Sequence, residues 1–175
     1  GWKSEAFSAS ATDQLKKLGS LLVSVSKQDP PTLSKEALDK LVEPSFRCRT
    51  IRPEKLREVF RDQTFEIRRA EALSQALPAT LHGSDGLAQG LSQLASAFAG
   101  GIDRVKLKLF KIDLDTEHVA TTVYFQAFGT GEDSEGKQAS LQINATWQLN
   151  WSNPTDTAPR LESLAVIQHE EIQYL

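Results

Sequence analysis

The chain has no methionine, a single cysteine, and no apolar run longer than a few residues. Cys48 alone forbids an internal disulfide and cannot hold a metal by itself. Apolar runs this short exclude a helix spanning a bilayer, which needs about 20 residues. Three histidines lie far apart, none in an HExxH spacing, so neither a metal nor a cofactor is expected. Lys and Arg total 20 against 23 Asp and Glu, a net charge of −3. No basic excess therefore points to nucleic acid. A chain without methionine reads as one whose natural start is missing, with room upstream for a signal peptide or another domain. What is present is ordinary for a folded domain: 175 residues, 39% hydrophobic and 25% charged, enough for one domain.

Residues 1–11 are small and polar apart from Trp2 and Phe7 and read as a lead-in, leaving 12–175 as a single domain. Thr12 or Asp13 can cap a helix carrying Leu15, Leu18, Leu22 and Val25 at helical spacing. Asp29-Pro30-Pro31 stops it. Ser34 caps a short second helix with Ala37, Leu38, Leu41 and Val42, ending before Pro44. Phe46 and Cys48 then alternate on one face. Pro53 opens a single-turn helix with Leu56, Val59 and Phe60 inward, and Thr64–Ala70 reads as a strand. After a loop of small residues, Ser84 caps a helix striped by Leu87, Leu91, Leu94 and Phe98, stopped at Gly100-Gly101.

The last third changes character. Segments 103–114, 117–129, 138–151 and 161–173 are β-branched, aromatic or alternating, with turns at Asp115-Thr116, in a Gly-rich acidic loop, and from Asn153 to Pro159. In 138–151, Leu141, Ile143, Ala145, Trp147, Leu149 and Trp151 face one way. Gln142, Asn144, Thr146, Gln148 and Asn150 face the other. Period two over this length is an antiparallel strand buried on one side. In 103–114 the apolar phase slips from odd to even at Leu109-Phe110, which predicts a β-bulge and a bent sheet. The expected fold is α+β and cone-shaped, with the N-terminal helices packed in the concave side of a strongly curved antiparallel sheet.

That element order resembles the nuclear transport factor 2-like superfamily, which includes SnoaL-like polyketide cyclases and ketosteroid isomerases. The resemblance implies a pocket at the open end of the cone. A second resemblance rests on Phe46-Arg47-Cys48, Leu56-Arg57-Glu58-Val59-Phe60, Asn144-Ala145-Thr146-Trp147, Leu161-Glu162-Ser163-Leu164 and Glu170-Glu171-Ile172. These segments look like the leading domain of exported bacterial proteins with propeller repeats and an ASPIC/UnbV-type module. It implies a periplasmic or extracellular, non-catalytic accessory or interaction domain with an adjoining propeller-type partner. The alternative is a SnoaL-like small-molecule-binding protein or an isomerase/cyclase-type enzyme. The aspartate base, tyrosine and protonated aspartic acid of the ketosteroid isomerases find no local motif here, so no residue is assigned a catalytic role.

His169, Trp147, Phe125 and Tyr124 are the ligand-pocket candidates. His169 with Glu171 on one strand face could form a base oriented by a carboxylate; a surface or strand-end cluster is the plainer reading. Trp147 and Phe125 line a pocket or fill the core. Cys48 reads as a small buried hydrophobe rather than a reactive thiol. Arg47, Arg49, Arg52, Arg57 and Arg61, interleaved with Glu54, Glu58 and Asp62, read as a salt-bridged outer face. His82 and His118 read as solvated. Gln142, Asn144, Thr146, Gln148 and Asn150 make a polar face without charge; they read equally as a solvent-facing strand rich in Thr, Gln and Asn and as the candidate interface of a homodimer, joined by Thr122, Tyr124 and Gln126 of the neighbouring strand. Asn144-Ala145-Thr146 also matches the N-glycosylation pattern, weakly for a mid-strand site.

Overall fold

The computed structural model describes residues 2–71, 78–114, 118–152 and 157–175. Helix α1 (Trp2–Ser26) is followed by the short α2 (Lys35–Asp39) and the strands β1 (Val42–Cys48), β2 (Leu56–Arg61), β3 (Phe65–Ala70) and β4 (Leu81–His82). Helix α3 (Gly83–Ala95) then leads into β5 (Ile102–Leu114), β6 (His118–Glu132), β7 (Gln138–Ser152) and β8 (Leu161–Tyr174). The turns expected at Asp115-Thr116 and at Asn153-Pro154 lie outside the described residues.

α1 begins ten residues before the expected cap. Phe7 and Ala11, both buried, extend the stripe of Leu15, Leu18, Leu22 and Val25 backwards at four-residue steps. The serines and alanines between them look like a polar lead-in, but they occupy the solvent side of a helix. Ser34 caps α2 as expected, its hydroxyl accepting from the Ala37 amide at 3.3 Å. Leu41 and Val42 fall beyond that helix, and Val42 opens β1. Gln14 is buried and donates to the carbonyls of Lys40 and Pro159, both at 2.8 Å, pinning two loops to α1.

The sheet order is β2-β3-β8-β7-β6-β5, with β1 pairing parallel to β8 and antiparallel to β4. Apart from the β1–β8 pair it is antiparallel. The register shifts between Leu109 and Lys111, where the apolar phase slips, and again between Thr146 and Trp147. Such bulges bend the long strands around the helices. The segment after Pro53 is strand β2, not a helical turn. Leu56, Val59 and Phe60 keep helical spacing, but pairing with β3 makes the segment a strand whose register shifts between Glu58 and Phe60. Asp62 closes the hairpin, its carboxylate accepting from the amides of Thr64 (2.7 Å) and Phe65 (2.9 Å). Phe60 is consequently 46% exposed rather than inward.

The concave side holds one core. Leu87, Leu91, Leu94 and Phe98 from α3 and the end following it meet the α1 stripe and the inner residues of β6, β7 and β8. Ser84 is not the cap of α3: His82 is the N-cap and makes no side-chain cap bond. Gly129 on β6 lies under the turn at Gly100-Gly101, whose Gly101 has φ +91°. The Thr130 amide donates to Gly101 O at 3.1 Å, and a Cβ on Gly129 would run into that same carbonyl. Among the described residues, no helix is long and apolar enough to cross a membrane.

Candidate functional site

The two sheet faces carry different chemistry. On the inner face, Phe125, Ala145 and His169 are cross-strand partners in one row over β6, β7 and β8. The Trp147 indole, two residues along from Ala145, stacks on Phe125 with ring centroids 4.4 Å apart. Trp147 and Phe125 are core residues, 1% exposed each. Trp151, four residues farther along β7 on the same face, is buried against Phe7, its Nε1 donating to Thr121 Oγ1 at 2.9 Å.

His169 and Glu171 share that face, and their side chains are fully covered. The run is therefore not a surface cluster. β8 pairs with β7, β3 and β1, and α3 lies over the same core, so alternation carries both residues inward. His169 Nε2 lies 2.9 Å from Glu171 Oε2. Arg52 holds the same carboxylate with Nε at 2.9 Å and Nη2 at 3.0 Å, and Arg68 Nη2 stands 3.8 Å away. Burial pushes the Glu171 carboxyl up, but the hydrogen bonds from His169 and Arg52 and their charges outweigh it and hold it at about 2. A carboxylate so held only accepts, so His169 Nε2 carries the proton. Nδ1 is then turned away from Glu171, and among the described residues neither it nor Trp147 Nε1 has a hydrogen-bond partner. This is the geometry of an oriented base without access to solvent.

Arg52 thus leaves the basic run read as an outer face. Of the others, Arg61 pairs with Glu58 at 3.6 Å as expected and Arg57 pairs with Glu71 at 3.5 Å, while Arg47 and Arg49 are exposed without an ion pair among the described residues. Cys48 is buried, and burial pushes its thiol up to about 12, which leaves it inert. His118 is exposed and bonded to Glu162 at 3.0 Å. Among the described residues, no group of three His, Cys, Asp or Glu could hold a metal ion.

On the outer face a trough of about 970 Å³ crosses five adjacent strands. Register partners form two rows across its floor. The first runs Lys106, Gln126, Asn144, Glu170, Arg69, and the second Lys108, Tyr124, Thr146, Gln168. The first row is largely zipped together. Gln126 Nε2 donates to Asn144 Oδ1 (3.1 Å), Asn144 Nδ2 to Glu170 Oε1 (3.0 Å), and Arg69 Nε to Glu170 Oε2 (3.0 Å). Gln142 joins it through Asn144 Oδ1 at 2.8 Å. Among the described residues, the second row has no hydrogen bond or ion pair of its own; the Tyr124 ring alone is held, stacked on Phe110 at 3.8 Å and 12°.

Of the pocket candidates, the structure brings together Phe125, Trp147 and His169 on the inner face and puts Tyr124 on the opposite one. Of the interface candidates, Asn144 and Thr146 floor the trough. Gln142 and Asn150 are already bonded within the chain, Asn150 to Ser163 Oγ at 2.7 Å. Lys106, Lys108 and Arg69 went unnoticed, although the outward period-two lysines of β5 were visible in sequence.

No family model matches the chain, and no curated protein matches it. Solved structures do. A hexachlorocyclohexane dehydrochlorinase (LinA) Type2 is similar at TM-score 0.49 and 9% identity, over 94% of this chain and 88% of that one. A SnoaL-like polyketide cyclase candidate from Jannaschia sp. CCS1 is similar at 0.43 and 8%, over 93% and 87%. The structure named Rd1NTF2_04 with long sheet is similar at 0.47 and 10%, over 89% and 98%. With TM-scores below 0.5, these likenesses carry nothing about activity, substrate or partner.

Proposed function

We propose that the chain is a non-catalytic interaction domain whose recognition surface is the outer sheet face. The observation that carries this is the contrast of access: the trough is open, while the imidazole of His169 is fully covered. A binding surface needs unsatisfied polar groups within reach of a partner, and the second row supplies them. The resemblance of its segments to the leading domain of exported propeller-repeat proteins supports an accessory role. A full reading frame with a signal peptide upstream and propeller repeats downstream would test that context.

A second reading is a SnoaL-like small-molecule binder or isomerase/cyclase. The buried, unpartnered Nδ1 of His169 and Nε1 of Trp147 favour it. A polar atom left unpaired in a core costs about 1–3 kcal/mol unless a ligand group satisfies it.

Two variants separate the readings. Thr146→Arg fills the trough, and His169→Gln alters the interior. Partner binding lost in Thr146→Arg and retained in His169→Gln is the expected result. A small molecule seen by native mass spectrometry, released by His169→Gln and kept by Thr146→Arg, overturns it. Self-pairing of the outer face, the homodimer expected from the sequence, is read by sedimentation of the same proteins.

A further inference from the structure

We propose that the outer trough binds an acidic oligosaccharide, a short run of sugar rings bearing carboxylates. This rests on the outer face being the recognition surface. The row Lys108, Tyr124, Thr146, Gln168 crosses four strands, about 14 Å at the usual strand spacing. Along it three kinds of group follow one another, and each meets a different part of such a ligand.

Tyr124 is 47% exposed, and Phe110 stacked against one face of its ring fixes its orientation. An aromatic plate held in place before binding loses little freedom on contact. The C–H face of a sugar ring lies flat on such a plate. The Thr146 hydroxyl and the Gln168 amide can each donate and accept, as sugar hydroxyls do, and among the described residues neither is used inside the chain. Lys108 and its neighbour Lys106 have no ion pair among the described residues and stand at the β5 end of the rows. Lysines often guard an exposed edge strand. That role needs neither the plate nor the open amides.

The same details disfavour other occupants. A peptide strand would pair along a sheet edge rather than lie across the strands. A single-stranded nucleic acid stacks successive bases on several aromatic side chains, whereas this floor offers one plate. A second copy of the chain is distinguished by the experiment.

Calorimetric titration of the full chain with tetramers of galacturonate, glucuronate and mannuronate, and with neutral galactose tetramers, tests the proposal. At least one acidic tetramer binds, more tightly than the neutral one. Tyr124→Ala weakens it about tenfold or more, as loss of a central aromatic anchor does. Lys108→Gln removes the preference for acid over neutral sugar, and Gln148→Ala, outside the row, leaves binding unchanged. No heat from any acidic tetramer at millimolar concentration overturns the proposal, as does binding indifferent to Tyr124→Ala. If the sugars fail but Thr146→Arg converts a sedimenting dimer to a monomer, the trough is a self-interface, and only the sugar is wrong. If sedimentation also shows a monomer throughout, the sugar is still wrong, and the outer-face reading stands or falls on loss of partner binding in Thr146→Arg.

Discussion

The inner and outer faces of this sheet are made from alternate residues of the same strands, yet they solve opposite problems. The inner face takes charge out of water and neutralises it, with Glu171 gripped by Arg52 and His169. The outer face keeps polar and charged side chains at the solvent, Lys106, Lys108, Arg69 and Glu170 among them, and zips only one of its two rows. Side chains on one face therefore set stability, and those on the other are free to set recognition. Single substitutions should separate the two cleanly.

The largest effect is expected at Trp147. It fills the centre of the core against Phe125, and Trp147→Ala should cost about 3–5 kcal/mol in denaturant titration. Its neighbour Gln148, half-buried on the other face, should cost less than about 0.5 kcal/mol as Ala. Equal losses would mean that the faces are assigned in the wrong phase.

Glu171 comes next. Its carboxyl lies at about 2 rather than the ordinary 4.5, so the folded state holds the ionised form more tightly than the unfolded chain does. Stability from this source is complete above pH 4.5 and drains away as pH falls from there toward 2. Its size is on the order of 3 kcal/mol. Glu171→Gln should remove a similar amount at neutral pH, about 3 kcal/mol, because Arg52 loses its counter-charge while keeping some solvent. The variant should also show a flatter loss of stability between pH 4.5 and 2. An unchanged acid limb would put the acid sensitivity elsewhere.

A backbone contact gives the third effect. Gly129→Ala forces a methyl against the Gly101 carbonyl at the crossing of β6 and the preceding turn. A cost of about 1–3 kcal/mol is expected in thermal or denaturant melts, typical of overpacking. Gly136 sits in an open turn with nothing near its Cβ position, but its φ of +78° still resists alanine, so it is not a neutral control. Gln148→Ala, at a strand position whose side chain makes no hydrogen bond among the described residues, serves better.

Much of this contrast is readable in the sequence. The alternation in β7 separates the faces residue by residue, and the phase slip in β5 marks the bulge between Leu109 and Lys111. Period two is a local property, so local sequence reveals it. The Arg52–Glu171 pair joins positions 119 residues apart, and no local pattern encodes such a contact. The burial of His169 follows from the neighbours of β8, which are a matter of topology. The N-terminal half of α1 was legible in principle, since Phe7 and Ala11 keep the stripe, but the small residues between them masked it. β2 was not legible, because six residues of mixed period leave the choice to the partner strand.

The smallest effect is the sharpest test of the outer face. Thr146 sits mid-row, has no hydrogen bond among the described residues, and is neighboured across the strands by Tyr124 and Gln168. Thr146→Arg adds length and charge on a face already half open to solvent, so folding stability should stay within about 0.5 kcal/mol. The added cation lies two strands from Lys108, far enough for water to screen much of the repulsion. If the face pairs with a second copy, the same arginine meets its own image or the opposing lysines and the dimer dissociates. Sedimentation of parent and variant at matched concentration then differs in mass while their denaturation curves overlay. A variant that unfolds early would show that Thr146 supports the core from the outer side, and the separation of the two faces would be lost at that position.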